Sequence, residues 1–142
     1  MTMKRYSFGF IFTPSFDRVL LIHKIKPDWQ NGKINGIGGK IEENESPLTC
    51  VTREVKEESN LSIPEKKWIY IANLKSNDFF TEVFACVYKE DINNAKSLEV
   101  EQIEWFPTSK LPSNLMNNLY WLIPLSIDKL KHDEPKSLVV TY

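Results

Sequence analysis

Several things are scarce in these 142 residues, and each shortage excludes a class of protein. There are only two cysteines, Cys50 and Cys86, each among apolar neighbours. That rules out a disulfide-stapled scaffold and reads as two reduced core thiols. Two histidines, His23 and His132, are too few and too far apart to suggest a zinc site. No apolar run reaches membrane-spanning length. The formal net charge is −1, so no basic surplus draws the chain toward nucleic acid or anionic lipid. No leader pattern precedes the first strand-like run, and a cytoplasmic setting is expected. There is no internal repeat and no low-complexity tract. The length fits one domain over residues 1–142.

What is present reads as interleaved strands and helices. Residues 5–13 and 18–25 are β-rich and flank a turn at Pro14-Ser15-Phe16-Asp17. Val19-Leu20-Leu21-Ile22 suits a strand buried on both faces. A polar loop over 26–33 carries Trp29, and Asn35-Gly36-Ile37-Gly38-Gly39 is too glycine-rich for a helix interior and reads as a loop. Ser46-Pro47 starts a helix, Leu48, Val51 and Val55 form its apolar face, and Asn60 ends it. Strands are expected over 67–74, 81–88 and 100–106. A second helix runs from a cap at Ser113 to about Lys131, kinked or split at Pro124, and a short strand covers Ser137–Tyr142. The class is α/β or α+β, with a mixed sheet between helices.

The chemistry concentrates on the first helix. Arg53, Glu54, Glu57 and Glu58 lie within one and a half turns, and positions three and four apart share a face. Three carboxylates there repel one another, and Arg53 supplies one positive charge. A solvated acidic face is one reading. The other is a site for a hard divalent cation, which takes oxygen ligands and retains several waters. Such an ion bridges phosphate oxygens and lowers the pKa of bound water. The glycine segment before the helix and the apolar face that anchors it favour the second reading.

Gly39, Glu45, Arg53-Glu54-Val55, Glu57-Glu58 and Leu61 stand at the spacings of the Nudix box: Gly, five residues, Glu, seven residues, then Arg-Glu-apolar-x-Glu-Glu-x-Gly-apolar. The segment 39–61 resembles that box at six fixed and two apolar positions. Its one departure is Asn60 in place of glycine, and both residues tolerate a left-handed helix end. The resemblance implies a Nudix fold, an α/β/α sandwich, and a magnesium-dependent hydrolase, with manganese as an alternative ion. It implies Glu54, Glu57, Glu58 and the Gly38 carbonyl as metal ligands. Arg53 would pair with Glu45 and hold Glu57 in place. The general base would be Glu54 or a loop glutamate, here Glu101 with Glu99 second. An ordinary surface role for Glu101 stays open.

The overall likeness is to the MutT-like, 8-oxo-dGTP diphosphatase branch, carried by residues 32–40 and 119–125. By that resemblance Asn35 contacts the base, though a turn residue before glycine is the plainer reading. Gly39 and Lys40 would meet the substrate as well. Oxidised-purine enzymes carry two aspartates where this chain reads Asn117-Asn118, so Asn118 would read the base with an amide of fixed donor and acceptor, and another purine nucleotide stays open. Trp29 is a candidate stacking platform. Trp68, Trp105 and Trp121 are expected in the core, and Phe79 or Phe80 at the pocket.

The leading function is a nucleoside triphosphate pyrophosphohydrolase acting on an unmodified or oxidised purine nucleotide. Alternatives are an ADP-ribose or dinucleotide pyrophosphatase, a non-catalytic nucleotide-binding module, and RNA cap removal. The expected partner is a small nucleotide, with no extended nucleic acid and no membrane, and the protein would be a monomer or homodimer.

Overall fold

A computed structural model describes residues 3–136 and 138–142. Expectations that fall on Met1 and Ser137 lie outside the described residues.

The centre is strand β1 (Lys4–Phe12), which pairs in parallel along its whole length with β6 (Phe79–Val87). On one side of this pair, β2 (Arg18–His23) runs antiparallel to β1, with β3 (Ile34–Asn35) and β7 (Ile103–Pro107) both paired to β2. The strand β4 (Ile37–Lys40) pairs antiparallel to β1 at Tyr6–Gly9. On the other side β5 (Ile69–Lys75) joins β6 antiparallel, and β8 (Val139–Thr141) joins β5 in parallel. The sheet is therefore mixed.

Alternation along β1 and β2 sends side chains to two separate cores. Phe10, Phe12, Val19 and Leu21 pack under helix α2 (Leu119–His132), against Leu119, Leu122 and Ile123. Ile11, Leu20 and Ile22 pack under helix α1 (Pro47–Ser59), against Val51 and Val55. Both faces of these strands are buried, which is why the run Val19–Ile22 is uniformly apolar. The result is the expected α/β/α sandwich.

Four expectations need correction. The glycine-rich segment is not a loop: it forms β3 and β4, because Gly38 and Gly39 lie opposite Phe8 and Ser7 in the β1 ladder. The second helix begins at Leu119, not at Ser113. Asn118 occupies its N-cap without a side-chain capping bond, and residues before it form turns and a bridge from Leu115 to Ile34. Pro124 does not split α2; it is exposed in the helix's second turn. Trp68 is buried and Trp105 half-buried in the α1-side core, but Trp121 is 39 % exposed. Both cysteines are free and buried, as expected. No helix among the described residues is long and apolar enough to cross a membrane.

Candidate active site

The acidic helix is fixed at both ends by its own sequence. The Ser46 hydroxyl accepts from the Thr49 N–H at 3.1 Å, and Pro47 takes the first helical position. Asn60 closes the helix in the left-handed conformation at φ 69°, its N–H returning to the Lys56 carbonyl. The departure from glycine thus keeps the geometry. With Val51 and Val55 locked in the core, the carboxylates have one direction to point.

Arg53 organises them. Its Nε and Nη2 donate to the two oxygens of Glu45 at 2.7 and 3.0 Å, while Nη1 donates to Glu54 at 2.9 Å and to Glu57 at 3.1 Å. These bonds hold the Glu45 carboxyl down at about 2 and the guanidinium firmly charged. Glu58 has no such partner. It is 6 % exposed, and its Oε2 is buried with no hydrogen bond. Burial pushes its carboxyl up to about 8, and the charge of Glu54 adds to the rise. Burial also raises Glu54, against the pull of Arg53.

Glu54 rests on β4. A Cβ built on Gly39 would lie 2.7 Å from the Glu54 carboxyl, so only glycine leaves that group its place. Among the described residues no group of three His, Cys, Asp or Glu side chains stands ready to hold a metal ion. The available set is smaller. Arg53 engages one oxygen each of Glu54 and Glu57, which leaves Glu58 and the second oxygens of Glu54 and Glu57. Magnesium is commonly held by one or two carboxylates together with water and phosphate oxygens. An orphaned buried carboxylate oxygen beside a second glutamate fits a hard cation of that kind. Gly38 is buried in β4 opposite Phe8.

Glu101, only 8 % exposed, has both oxygens taken. Lys24 Nζ donates to one at 2.9 Å, and the N–H groups of Ile25 and Lys26 donate to the other at 2.7 and 3.2 Å. Burial opposes its ionisation, but these three donors prevail and hold the carboxyl below its ordinary value. Glu101 therefore clamps the start of the loop that carries Trp29. Lys24, which no local pattern in the sequence marks, and Glu99, the second candidate for the base, both lie near enough to bias the Glu58 charge.

A cavity of about 510 Å³ opens beside Phe8, the β1 residue paired with Gly38. Tyr6 and Phe8 of β1 form one wall, with Asn35, Trp29, Phe79 and Asn118 among the others. Trp29 is 69 % exposed at the mouth. Asn35 is buried; its Oδ1 accepts from the Gly36 N–H at 2.8 Å and its Nδ2 donates to Gln30 at 3.2 Å. Phe79 lines the cavity, whereas Phe80 packs under Arg5. A second cavity of about 500 Å³ adjoins it through Trp29, Phe79, Met116 and Asn118, and there Trp121 and Asn117 are found. Lys40 is exposed at the register of Tyr6, outside both linings. The pleat thus puts Gly39 on the carboxylate side and Gly38 on the cavity side.

A family model described as the NUDIX domain matches residues 3–124. Among solved structures, a MutT NUDIX hydrolase from Burkholderia pseudomallei superposes with a TM-score of 0.74 at 17 % identity, over 88 % of this chain and 98 % of that one. The NUDIX domain of Shewanella oneidensis NrtR, complexed with ADP ribose, gives 0.76 at 17 %, over 92 % and 90 %. A NUDIX-family hydrolase from Clostridium perfringens gives 0.68 at 18 %, over 92 % and 98 %. At these identities the likeness is one of fold.

Proposed function

The chain belongs to the NUDIX domain family, and from that premise we propose that it is a magnesium-dependent nucleoside triphosphate pyrophosphohydrolase. Its substrate would be a purine nucleotide, unmodified or oxidised, cleaved to the monophosphate and pyrophosphate. One observation carries this reading: Gly39 abuts the Glu54 carboxyl, and its neighbour Gly38 pairs with Phe8, which lines the aromatic cavity. A nucleotide laid across β4 would put its base in the pocket and its phosphates beside the acids.

The base would stack on Trp29 and meet the amides of Asn35 and Asn118. Gly39 and the exposed Lys40 lie where the phosphate chain would pass, and Lys40 would offset phosphate charge. Glu54 and Glu58 would hold a divalent cation, with Glu57 and the Gly38 carbonyl as further ligands. When bound, the cation neutralises phosphate charge and acidifies water. Glu54 would take the proton of the attacking water: its carboxyl is raised by burial, whereas Glu101 is occupied by three donors. A new P–O bond forms, the bridging P–O bond breaks, and pyrophosphate leaves. Arg53 keeps Glu54 and Glu57 in position and touches no reacting atom. Glu101 would hold the Trp29 loop.

The second reading is an ADP-ribose pyrophosphatase, favoured by the ADP ribose found on the similar NrtR domain and by the second cavity beside the first. Product analysis separates the two. Pyrophosphate and a nucleoside monophosphate from a purine triphosphate, at a higher kcat/KM than ADP-ribose, support the triphosphate reading. Preferential cleavage of ADP-ribose to two monophosphate products overturns it.

A further inference from the structure

Thr81 stands in the floor of the pocket. It lies on β6 between Tyr6 of β1 and Leu74 of β5, its partners in the two ladders, and all three residues line the cavity of about 510 Å³. In-register neighbours share a face of the sheet, so the row Tyr6–Thr81–Leu74 points into that space. Further along the same face of β6, Val83 and Ala85 are wholly buried in the core under α2. Threonine is a good strand former, but on propensity valine would serve this position as well. The hydroxyl needs another account.

Buried hydroxyls are usually hydrogen-bonded, because a lone one forfeits the water it has lost. Thr81 is only 4 % exposed. Among the described residues, the polar side-chain atoms that are both unpartnered and sealed from solvent belong to Glu58, Trp68, Asn73 and Glu82. The Thr81 oxygen is unpartnered without being sealed, so it opens onto the cavity. Of the polar side chains in the lining, only Asn35 and Thr81 are buried. Asn35 has already spent its oxygen on the Gly36 N–H and one amide hydrogen on Gln30, whereas the Thr81 hydroxyl keeps its whole hydrogen-bonding capacity. We propose that the Thr81 hydroxyl is a ligand-binding group that hydrogen-bonds the polar edge of the base. The inference rests on the reading of this cavity as the nucleobase site. A purine edge carries ring nitrogens and exocyclic oxo or amino groups, while the floor around Thr81 is made of Phe8, Leu74, Phe79 and the Tyr6 ring. A hydroxyl donates or accepts, so Thr81 serves an oxo or an amino group alike. What it disfavours is a ligand that leaves it unpaired.

The test is Thr81→Val, which keeps the shape and removes the hydroxyl. Dissociation constants for GMP and AMP are measured by calorimetry on the full chain, beside the melting temperature of the unliganded protein. Thr81→Val should bind the tighter of the two nucleotides about fivefold more weakly, the worth of one ordinary hydrogen bond. Its melting temperature should equal or exceed that of the wild type, since an unpartnered hydroxyl does not hold the fold. Thr81→Ser restores the hydroxyl and should bind within about twofold of the wild type. Unchanged affinity in Thr81→Val, an equal loss in Thr81→Ser, or a melting temperature of Thr81→Val below the wild type overturns the role of Thr81; the pocket reading then stands if Trp29→Ala weakens binding. If neither Thr81→Val nor Trp29→Ala weakens binding, or the wild type binds neither nucleotide, the pocket reading itself fails and this inference with it.

Discussion

Arg53 grips Glu45 through two near-parallel hydrogen bonds, 2.7 Å from Nε and 3.0 Å from Nη2, across eight residues of chain. With Glu45 fixed this way, the remaining guanidinium nitrogen can reach Glu54 and Glu57 together. One cation thus sets the geometry of three carboxylates. Lysine offers charge without the planar fork. Arg53→Lys should lower kcat about 10- to 100-fold with a smaller change in KM. The depressed Glu45 carboxyl adds stability that is present above its ordinary 4.5 and lost as pH falls toward 2. Glu45→Gln should therefore lose this acid-limb contribution, read from melting curves between roughly pH 2 and pH 6. A variant whose acid limb matches the wild type would show the pair contributes nothing.

The adjacent glycines of β4 should respond differently to the same change. A Cβ on Gly38 would meet the Ser7 carbonyl at 2.0 Å, a backbone atom that cannot yield. A Cβ on Gly39 would meet only the end of the Glu54 side chain, at 2.7 Å. Gly38→Ala should lower the melting temperature markedly. Gly39→Ala should fold, yet lose about 10- to 100-fold in kcat as Glu54 is displaced. Equal stability losses in the two variants would contradict the arrangement.

Glu58 carries the clearest pH signature. Its folded pKa of about 8 stands above the ordinary 4.5, so the fold favours its protonated form. That contribution is complete below 4.5 and is lost as pH rises through 8. Glu58→Gln mimics the protonated carboxyl. In chelator, its melting temperature relative to wild type should climb between about pH 5 and pH 8, and divalent cation should stabilise only the wild type. A difference that stays flat with pH would contradict the burial of this carboxyl.

How much of this was legible beforehand depends on the range of the interaction involved. The limits of α1 were written locally, in Ser46, Pro47 and Asn60, and so was the row of carboxylates. The β4 strand was not, because glycine disfavours strands on propensity alone; the need for bare backbone comes from Ser7, Phe8 and Glu54, distant in sequence. Ser113 resembled a cap, but the bridge between Leu115 and Ile34 delays the helix to Leu119. Hydrophobicity alone points Trp121 to the core, while its place on α2 puts it in the lining of the second cavity. Lys24 carries no local signal, since a single carboxylate brings it to the site.

Trp29, exposed at the cavity mouth, should matter for binding and little for folding. Trp29→Ala should raise KM about tenfold through lost base stacking, with kcat and melting temperature nearly unchanged. A large drop in melting temperature instead would make Trp29 a packing residue.

The most direct test is metal-dependent turnover of a purine triphosphate by the wild type, Glu57→Gln and Glu58→Gln, with pyrophosphate release measured against magnesium concentration. Wild-type turnover should require magnesium, and each variant should lose at least about 100-fold in kcat while calorimetry still shows nucleotide binding. Near-normal magnesium-dependent turnover in both variants would contradict a catalytic centre built on α1.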